Sequence, residues 1–330
     1  GGLAARAWVL YYDGAEEPSR VAARLLEDHR VEYAGPNHLI PLDSAPGAGP
    51  ASERSPEGVP NDPFYPEQAA LFALHVPEAW TRSRGAGIRI AVIDTGIELD
   101  HPDLVARIAV NAAERDGLAG VDDDGNGYVD DIRGYDFTDA PGLPGLGDYL
   151  GRDPDPGDDH GHGTAVAGAA AATRDNGVGI AGVAPEAEIL ALRAGLRTTM
   201  PLLPALLEED DAAAAILYAA DNGARILNLS WGDLVEAPLI REAVRYARAR
   251  GCLVVAGAGN TPADTAFYPA AHPGVVSVGA CDASGERADF STHGQDLDLV
   301  APGTGVLVTT IGGSYGTAGG TSFSAPLAAG

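Results

Sequence analysis

Five short apolar runs, each too short for a helix, constrain this chain more than any other feature. They lie at residues 88–93, 189–192, 226–229, 252–256 and 275–278. Helical stretches at 212–222 and 238–250 separate several of them. Strands without polar alternation are buried on both faces, and intervening helices serve as crossovers between them. The pattern therefore implies an α/β fold, a mostly parallel sheet with helices on both faces. In such sheets, sites form beyond the carboxyl ends of the strands. Asp94 and Asn260 each follow an apolar run, where a site would form.

Residues 1–40 read differently, as a small α+β segment. The stretch 8–12 is β-prone. Ser19 is placed to N-cap a helix running to His29, with Val21, Leu25 and Leu26 on one face. Residues 31–33 then return as a strand. Residues 41–60 are rich in Pro, Gly and Ser, as linkers are. A plain spacer and a maturation site are both open there. Residues 61–330 form the main domain, and 330 residues suit one large domain with a small appendage.

A formal net charge of −26 repels phosphate backbones and favours cations such as calcium, so nucleic acid is excluded as an expected partner. Every basic residue is Arg. Cys252 and Cys281 make no disulfide framework. They belong to opposite ends of their strand runs, so no bond between them is expected. No run of 18 apolar residues exists, so no membrane span is expected. The chain begins Gly-Gly-Leu with no leader visible, and an upstream segment could precede it. A monomer is expected.

Four local motifs carry chemistry. They are Ala91-Val-Ile-Asp94-Thr-Gly96, His160-Gly-His162-Gly-Thr-Ala-Val-Ala-Gly168, Val254-Val-Ala-Gly-Ala-Gly-Asn260 and Gly319-Gly-Thr-Ser322-Phe-Ser-Ala-Pro326. Cleaving a peptide bond near neutral pH needs a nucleophile, a base, an orienter for that base and oxyanion donors. In chain order the motifs resemble those of the subtilisin-like serine proteases, over roughly residues 61–330. The resemblance implies Ser322 as nucleophile, at the start of a helix. It implies His162 as base, Asp94 as its orienter, and Asn260 with the Ser322 N–H as oxyanion donors. His160 lacks the following Gly-Thr and is read as a loop residue. A lipase-type elbow is disfavoured, because the closing Gly is missing around Ser322.

The resemblance also assigns substrate contacts. Ser230, Trp231 and Gly232 form an edge that pairs with the substrate backbone. Ala256, Gly257, Ala258 and Gly259 form one wall of the primary specificity pocket, whose small residues leave an open slot. The opposite flank departs from the family pattern after Arg193. There Met200 and Leu202 either cap an apolar groove or merely pack.

Asp122, Asp124, Asn126, Tyr128 and Asp130, with Gly127 at the turn, match the first nine positions of an EF-hand loop. Asp131 follows directly. The twelfth position is Arg133, so a smaller calcium loop is expected in place of an orthodox EF-hand. A solvated acidic turn is the alternative. A second calcium site is implied by resemblance alone. Its ligands would be Asp62, Asp103 and the Asn176 side chain, with the carbonyls of Thr173, Val178 and Ile180.

Residues 1–40 resemble the later part of the family's inhibitory propeptide, which assists folding and is then removed. Only eight residues follow Ser322, so a C-terminally truncated domain is expected. The reading is thus a secreted, calcium-stabilised serine endopeptidase made as a zymogen. Its substrates are polypeptides and its intramolecular inhibitor is its own propeptide. A catalytically dead binding protein of this fold and an esterase using Ser322 are the rivals.

Overall fold

The computed structural model describes residues 10, 16–42 and 59–330. The expected strand at 8–12, apart from residue 10, and the linker between 43 and 58 lie outside the described residues.

The short apolar runs become the strands of one sheet. Its members are β2 (Arg89–Asp94), β3 (Gly134–Asp136), β5 (Glu188–Arg193), β8 (Ile226–Leu229), β9 (Leu253–Gly257), β10 (Val275–Cys281) and β11 (Leu299–Pro302). They lie in the order β11-β10-β9-β8-β2-β5-β3, and every pairing is parallel. In β2 every residue after Arg89 is buried, as a strand sandwiched on both faces must be.

Two apolar cores fill the two sides of this sheet. On one side pack α5 (His162–Ala171) and α8 (Thr321–Ala329). All ten residues of α5 are buried, and most are small, which lets the helix lie deep. A methyl on Gly168 would overlap the Thr309 side chain of the hairpin β12 (Val306–Thr310) and β13 (Ser314–Ala318). On the other side pack α6 (Glu209–Asp221) and α7 (Pro238–Ala249). Helix α7 shows the commoner amphipathic design, with Pro238 in its first turn and Ile240, Ala243, Val244 and Ala247 buried as one stripe. Three short helices complete the main domain: α2 (Ala69–Ala73), α3 (Val76–Ala79) and α4 (Ala112–Asp116).

The N-terminal helix α1 spans Pro18–Leu25. It is shorter than expected, and Glu17 stands at its N-cap with Pro18 in the first turn, so Ser19 lies inside the helix. A proline fixed near helical φ starts the helix two residues before a Ser19 cap would. Residues 31–33 form no strand. The returning strand is instead β1 (Leu39–Pro41), further along the chain. Its apolar side chains Ile40 and Leu42 enter the α6 and α7 core, which residues 31–33 do not reach.

Strand β1 belongs to a second, antiparallel sheet of order β1-β7-β6-β4, with β4 (Gly145–Leu146), β6 (Gly195–Thr198) and β7 (Ala205–Glu208). Leu39 faces Glu208, Ile40 faces Leu207 and Pro41 faces Leu206. Leu42 N–H donates to the Ala205 carbonyl at 3.1 Å. The docked segment therefore runs past residue 40, into the stretch read as linker. Met200 is half-buried, whereas Leu202 is 92% exposed at the β6–β7 turn and packs against nothing.

Cys252 lies just before β9 and Cys281 ends β10, its parallel neighbour; both thiols are buried and free. Among the described residues no helix is long and apolar enough to cross a membrane.

Candidate active site

The carboxyl end of the parallel sheet gathers the motif residues. Asp94 is the last residue of β2, His162 the first of α5, and Ser322 the second of α8. Asp94 is wholly buried, and its Oδ1 accepts the Thr95 N–H at 2.8 Å. The same oxygen lies 2.7 Å from Nδ1 of His162. This contact fixes the ring, so Nε2 is the atom turned away from Asp94. Nε2 is buried and has no hydrogen-bond partner. Burial drives the His162 imidazole toward neutrality. The charge and hydrogen bond of Asp94, helped by Asp158, outweigh that and hold it above its ordinary value. His160 moves the other way, lowered chiefly by burial and then by the charge of His162.

Local sequence explains how α5 presents its first residue. A methyl on Gly163 would overlap the Gly96 carbonyl and sit 3.0 Å from Asp94 Cβ, so the helix can approach β2 only with glycine there. Gly161, with φ 104°, is the N-cap and offers no side chain. Asp158 supplies the missing cap. Its Oδ1 accepts from His160 N, Gly161 N and Thr95 Oγ1 at 2.9, 2.8 and 3.0 Å. Its Oδ2 accepts from Thr164 N and Thr164 Oγ1 at 3.0 and 2.6 Å.

The loop before α5 is anchored by Arg193, the buried last residue of β5. Nε lies 3.3 Å from Asp136 Oδ2, and Nη1 donates to the Gly157 carbonyl at 2.9 Å. Burial pushes the Asp136 carboxyl up to about 7, with the Arg193 charge opposing.

Ser322 is tied to Ser230, the residue after β8, by two hydrogen bonds. Its Oγ donates to the Ser230 carbonyl at 3.0 Å, and Ser230 Oγ donates to the Ser322 carbonyl at 2.7 Å. Asn228 Nδ2 donates to Ser230 Oγ at 2.8 Å. Helices α5 and α8 pack together, with the His162 and Phe323 rings 5.7 Å apart. Asn260 Oδ1 accepts from Thr321 N and Thr321 Oγ1 at 2.9 and 3.2 Å. Anchoring the oxygen makes the NH2 the donating end of the amide.

Trp231 is buried, its indole N–H donating to the Ile93 carbonyl at 2.8 Å. Ala256 and Gly257 end β9 and Ala258 follows, its N–H donating to the Val278 carbonyl at 2.9 Å. Gly259, at φ 97°, donates its N–H to Thr321 Oγ1 at 3.1 Å. The Phe267 ring lies against both of these segments. A methyl on Gly232 or Gly259 would fall 2.5 or 2.6 Å from the Phe267 ring, which lies between the two walls. Phe267, Thr321, Asn228, Asp158 and Arg193 escaped the sequence reading. Of these, Thr321 alone lies inside one of the four motifs, and its partners Gly259 and Asn260 belong to another.

The acidic loop closes differently from an EF-hand. Asp122 spends both oxygens on backbone N–H groups of Gly125, Asn126 and Gly127, at 2.7, 3.1 and 2.9 Å. Asp130 accepts from Gly120 N at 2.8 Å. The ring of Tyr128 packs against Tyr135, Phe137 and Tyr218. Asp124 and Asp131 turn instead toward Glu114, and one oxygen from each of the three lies within 4.8 Å of the others. Asn126 Nδ2 donates to Asp131 Oδ2 at 2.8 Å. Glu114 was missed because it sits on α4, outside the loop. Such a cluster of carboxylates could hold a cation.

The second predicted set also meets. Asp62 accepts from Asp175 N at 3.0 Å, and Asp103 accepts from Ile180 N at 2.9 Å and Asn176 Nδ2 at 2.7 Å. Val178 N–H donates to Asn176 Oδ1 at 3.0 Å. Asp62 and Asp103 are both raised, mainly by burial. Thr173 Oγ1 is buried without a partner.

Residues 85–330 match the model of the subtilase family, Peptidase S8. The thermophilic serine proteinase of Bacillus sp. (strain AK1) is 37% identical over 302 residues, covering 91% of this chain and 62% of that protein. Thermitase of Thermoactinomyces vulgaris is 34% identical over 272 residues, covering 82% of this chain and 83% of thermitase. An intracellular serine protease of Paenibacillus polymyxa is 34% identical, covering 78% of this chain and 69% of that protein. Among solved structures, a protease from Pseudoalteromonas arctica superposes with TM-score 0.69 at 29% identity, covering 83% of this chain and 85% of that one.

Proposed function

The chain belongs to the subtilase family of serine proteases, and from that premise we propose that it is an endopeptidase working through Ser322, His162 and Asp94. The observation that carries the reading is the buried 2.7 Å contact between Asp94 and His162, which leaves Nε2 without a partner at the sheet's carboxyl end. In the reaction Ser322 Oγ turns from the Ser230 carbonyl toward His162 Nε2, gives up its proton there, and attacks the scissile carbonyl. The oxyanion meets the Asn260 NH2 and the Ser322 N–H. The imidazolium, stabilised by Asp94, passes its proton to the leaving amine. Water then enters, His162 takes its proton, and the acyl-enzyme is hydrolysed. The peptide pairs with Ser230, Trp231 and Gly232 on one side and β7 on the other. Ala256 to Gly259 line its primary pocket, with the Phe267 ring against Gly259.

Calcium fits the donor set of Asp62, Asp103 and Asn176, with the Thr173, Val178 and Ile180 carbonyls. All are hard oxygen ligands, two are buried carboxylates, and the orphaned Thr173 hydroxyl lies in the same segment. A second ion fits Glu114, Asp124 and Asp131. When bound, calcium supplies charge neutralisation and ties these segments together. Residues 1–42, which include the docked strand β1, act as the pro-segment, residues 43–60 as its tether, and the peptidase domain begins near residue 61. The working compartment is outside the cytoplasm, the intracellular relative marking the alternative.

Fluorophosphonate labelling of this chain in calcium tests the reading, with Ser322→Ala as control. Ser322-dependent labelling and casein hydrolysis are expected. Hydrolysis of a short-chain nitrophenyl ester without casein would favour an esterase, and no labelling a catalytically inactive member of the fold.

A further inference from the structure

Strand β1 shows how a peptide lies on β7, and what stands at the upstream end of that peptide. Ile40 and Leu42 are buried in the core shared with Ala205 and Leu207. Asn37 lies just upstream and is exposed. Its NH2 donates to Asp210 Oδ1 at 2.5 Å and Glu208 Oε1 at 3.3 Å, and its Oδ1 accepts from Asp210 N at 3.3 Å. The next residue, His38, accepts from Glu209 N at 3.0 Å through its carbonyl. The first turn of α6 is thus capped by a separate segment of chain.

Behind Asn37 the charge is unbalanced. Asp139, Asp210 and Asp211 share one guanidinium, that of Arg152, at 3.1, 3.2 and 2.8 Å. Among the described residues no ion pair reaches Glu208. Burial, then the charges of Asp210 and Asp139, push the Glu208 carboxyl up to about 7. Burial, then Asp210, pushes Asp211 up to about 9, with Arg152 opposing. Burial is the main cause for both carboxyls, and the neighbouring negative charges add to it.

We propose that this rim, formed by Glu208 and Asp210, is a subsite for a basic side chain, so that a polypeptide paired with β7 is preferred with Arg or Lys where Asn37 now sits. The inference rests on the endopeptidase reading, with β7 as part of the substrate cleft. Asparagine offers neutral donors only. A guanidinium or ammonium there would keep the two contacts and add the missing charge. The position is exposed, so a longer side chain has room to reach both carboxylates.

The test has two arms. In the first, three peptides spanning residues 35–48, with Asn, Arg or Glu at position 37, compete for the enzyme, and mass spectrometry reads their relative kcat/KM. Arg is expected to exceed Glu by about tenfold, because attraction replaces repulsion at a partly exposed pair. The ratio should shrink toward unity in about 1 M salt, and the double substitution Glu208→Gln and Asp210→Asn should level the three. In the second arm, hydrogen exchange is followed in the full chain carrying Ser322→Ala, with Asn37→Arg or Asn37→Glu. Slower exchange across 39–42 is expected with Arg and faster with Glu. Equal cutting of the three peptides, or equal exchange in the two variants, would overturn the subsite. Exchange that follows charge while no peptide is cut would sink the endopeptidase reading and leave the subsite standing.

Discussion

Asp158→Asn separates two effects that ordinary damage would move together. Asp158 accepts five hydrogen bonds, three at Oδ1 and two at Oδ2, around the first turn of α5. In its better orientation the asparagine keeps the three at its oxygen. Its NH2 then faces the Thr164 N–H, which is a donor itself, and the Thr164 hydroxyl, which would have to turn to accept. Leaving such a donor unpaired costs about 1–3 kcal/mol. Losing a negative charge at a helix N-terminus costs about 0.3–1 kcal/mol more. Asp158 is partly exposed, so a total near 2 kcal/mol is expected, lowering Tm by about 3–6 °C. The second effect has the opposite sense. Asp158 helps hold the His162 imidazolium. Removing its charge should move the acid limb of kcat/KM to lower pH, because the base stays neutral further down. The assays are calorimetry and a pH profile of kcat/KM on a peptide. An unchanged Tm, or an acid limb moved to higher pH, would refute the reasoning.

Asn260→Ala should lower kcat by about 10²–10³ with little change in KM, in a steady-state assay on one peptide. Asp103→Asn should lower Tm in calcium but much less in EDTA. Equal losses in both would argue against a cation at that carboxylate. For Asp211 the folded pKa of about 9 lies above the ordinary carboxylate value. Its contribution to stability is therefore fully present at low pH and is lost as pH rises toward about 9. A Tm profile from about pH 4 to 10 should fall less steeply in Asp211→Asn; parallel profiles would show that this carboxyl does not govern the slope.

Five of the seven strands of the central sheet were legible because they have to be apolar on both faces, and a run such as Ile90 to Ile93 can be little else, whereas the outermost strands β3 and β11 carry no such run. The motif glycines were legible for a related reason: Gly163 and Gly259 stand where backbone approaches backbone or ring, which leaves few alternatives. What stayed hidden joins residues through space alone. Arg193 reads as one more charge after a strand until Asp136 and Gly157 are folded around it. Asp158 is one aspartate among many in a Gly- and Asp-rich loop, with nothing local to mark it as the cap. Glu114 sits on a helix of five residues, with no pattern tying it to Asp124 and Asp131. Strand β1 was misplaced by several residues, because Val31 to Tyr33 have the stronger β-propensity. The edge of β7 decided the matter, and it lies more than 160 positions along the chain.

Helix α8 packs against β8, β9, β10 and β11, so the segment bearing Ser322 can settle only after those strands exist. During synthesis, a growing chain that has already placed Asp94 beside His162 still has no hydroxyl to work with. On the proposed mechanism, the growing chain stays harmless to its unfinished siblings until Ser322 has emerged and α8 has docked on those strands.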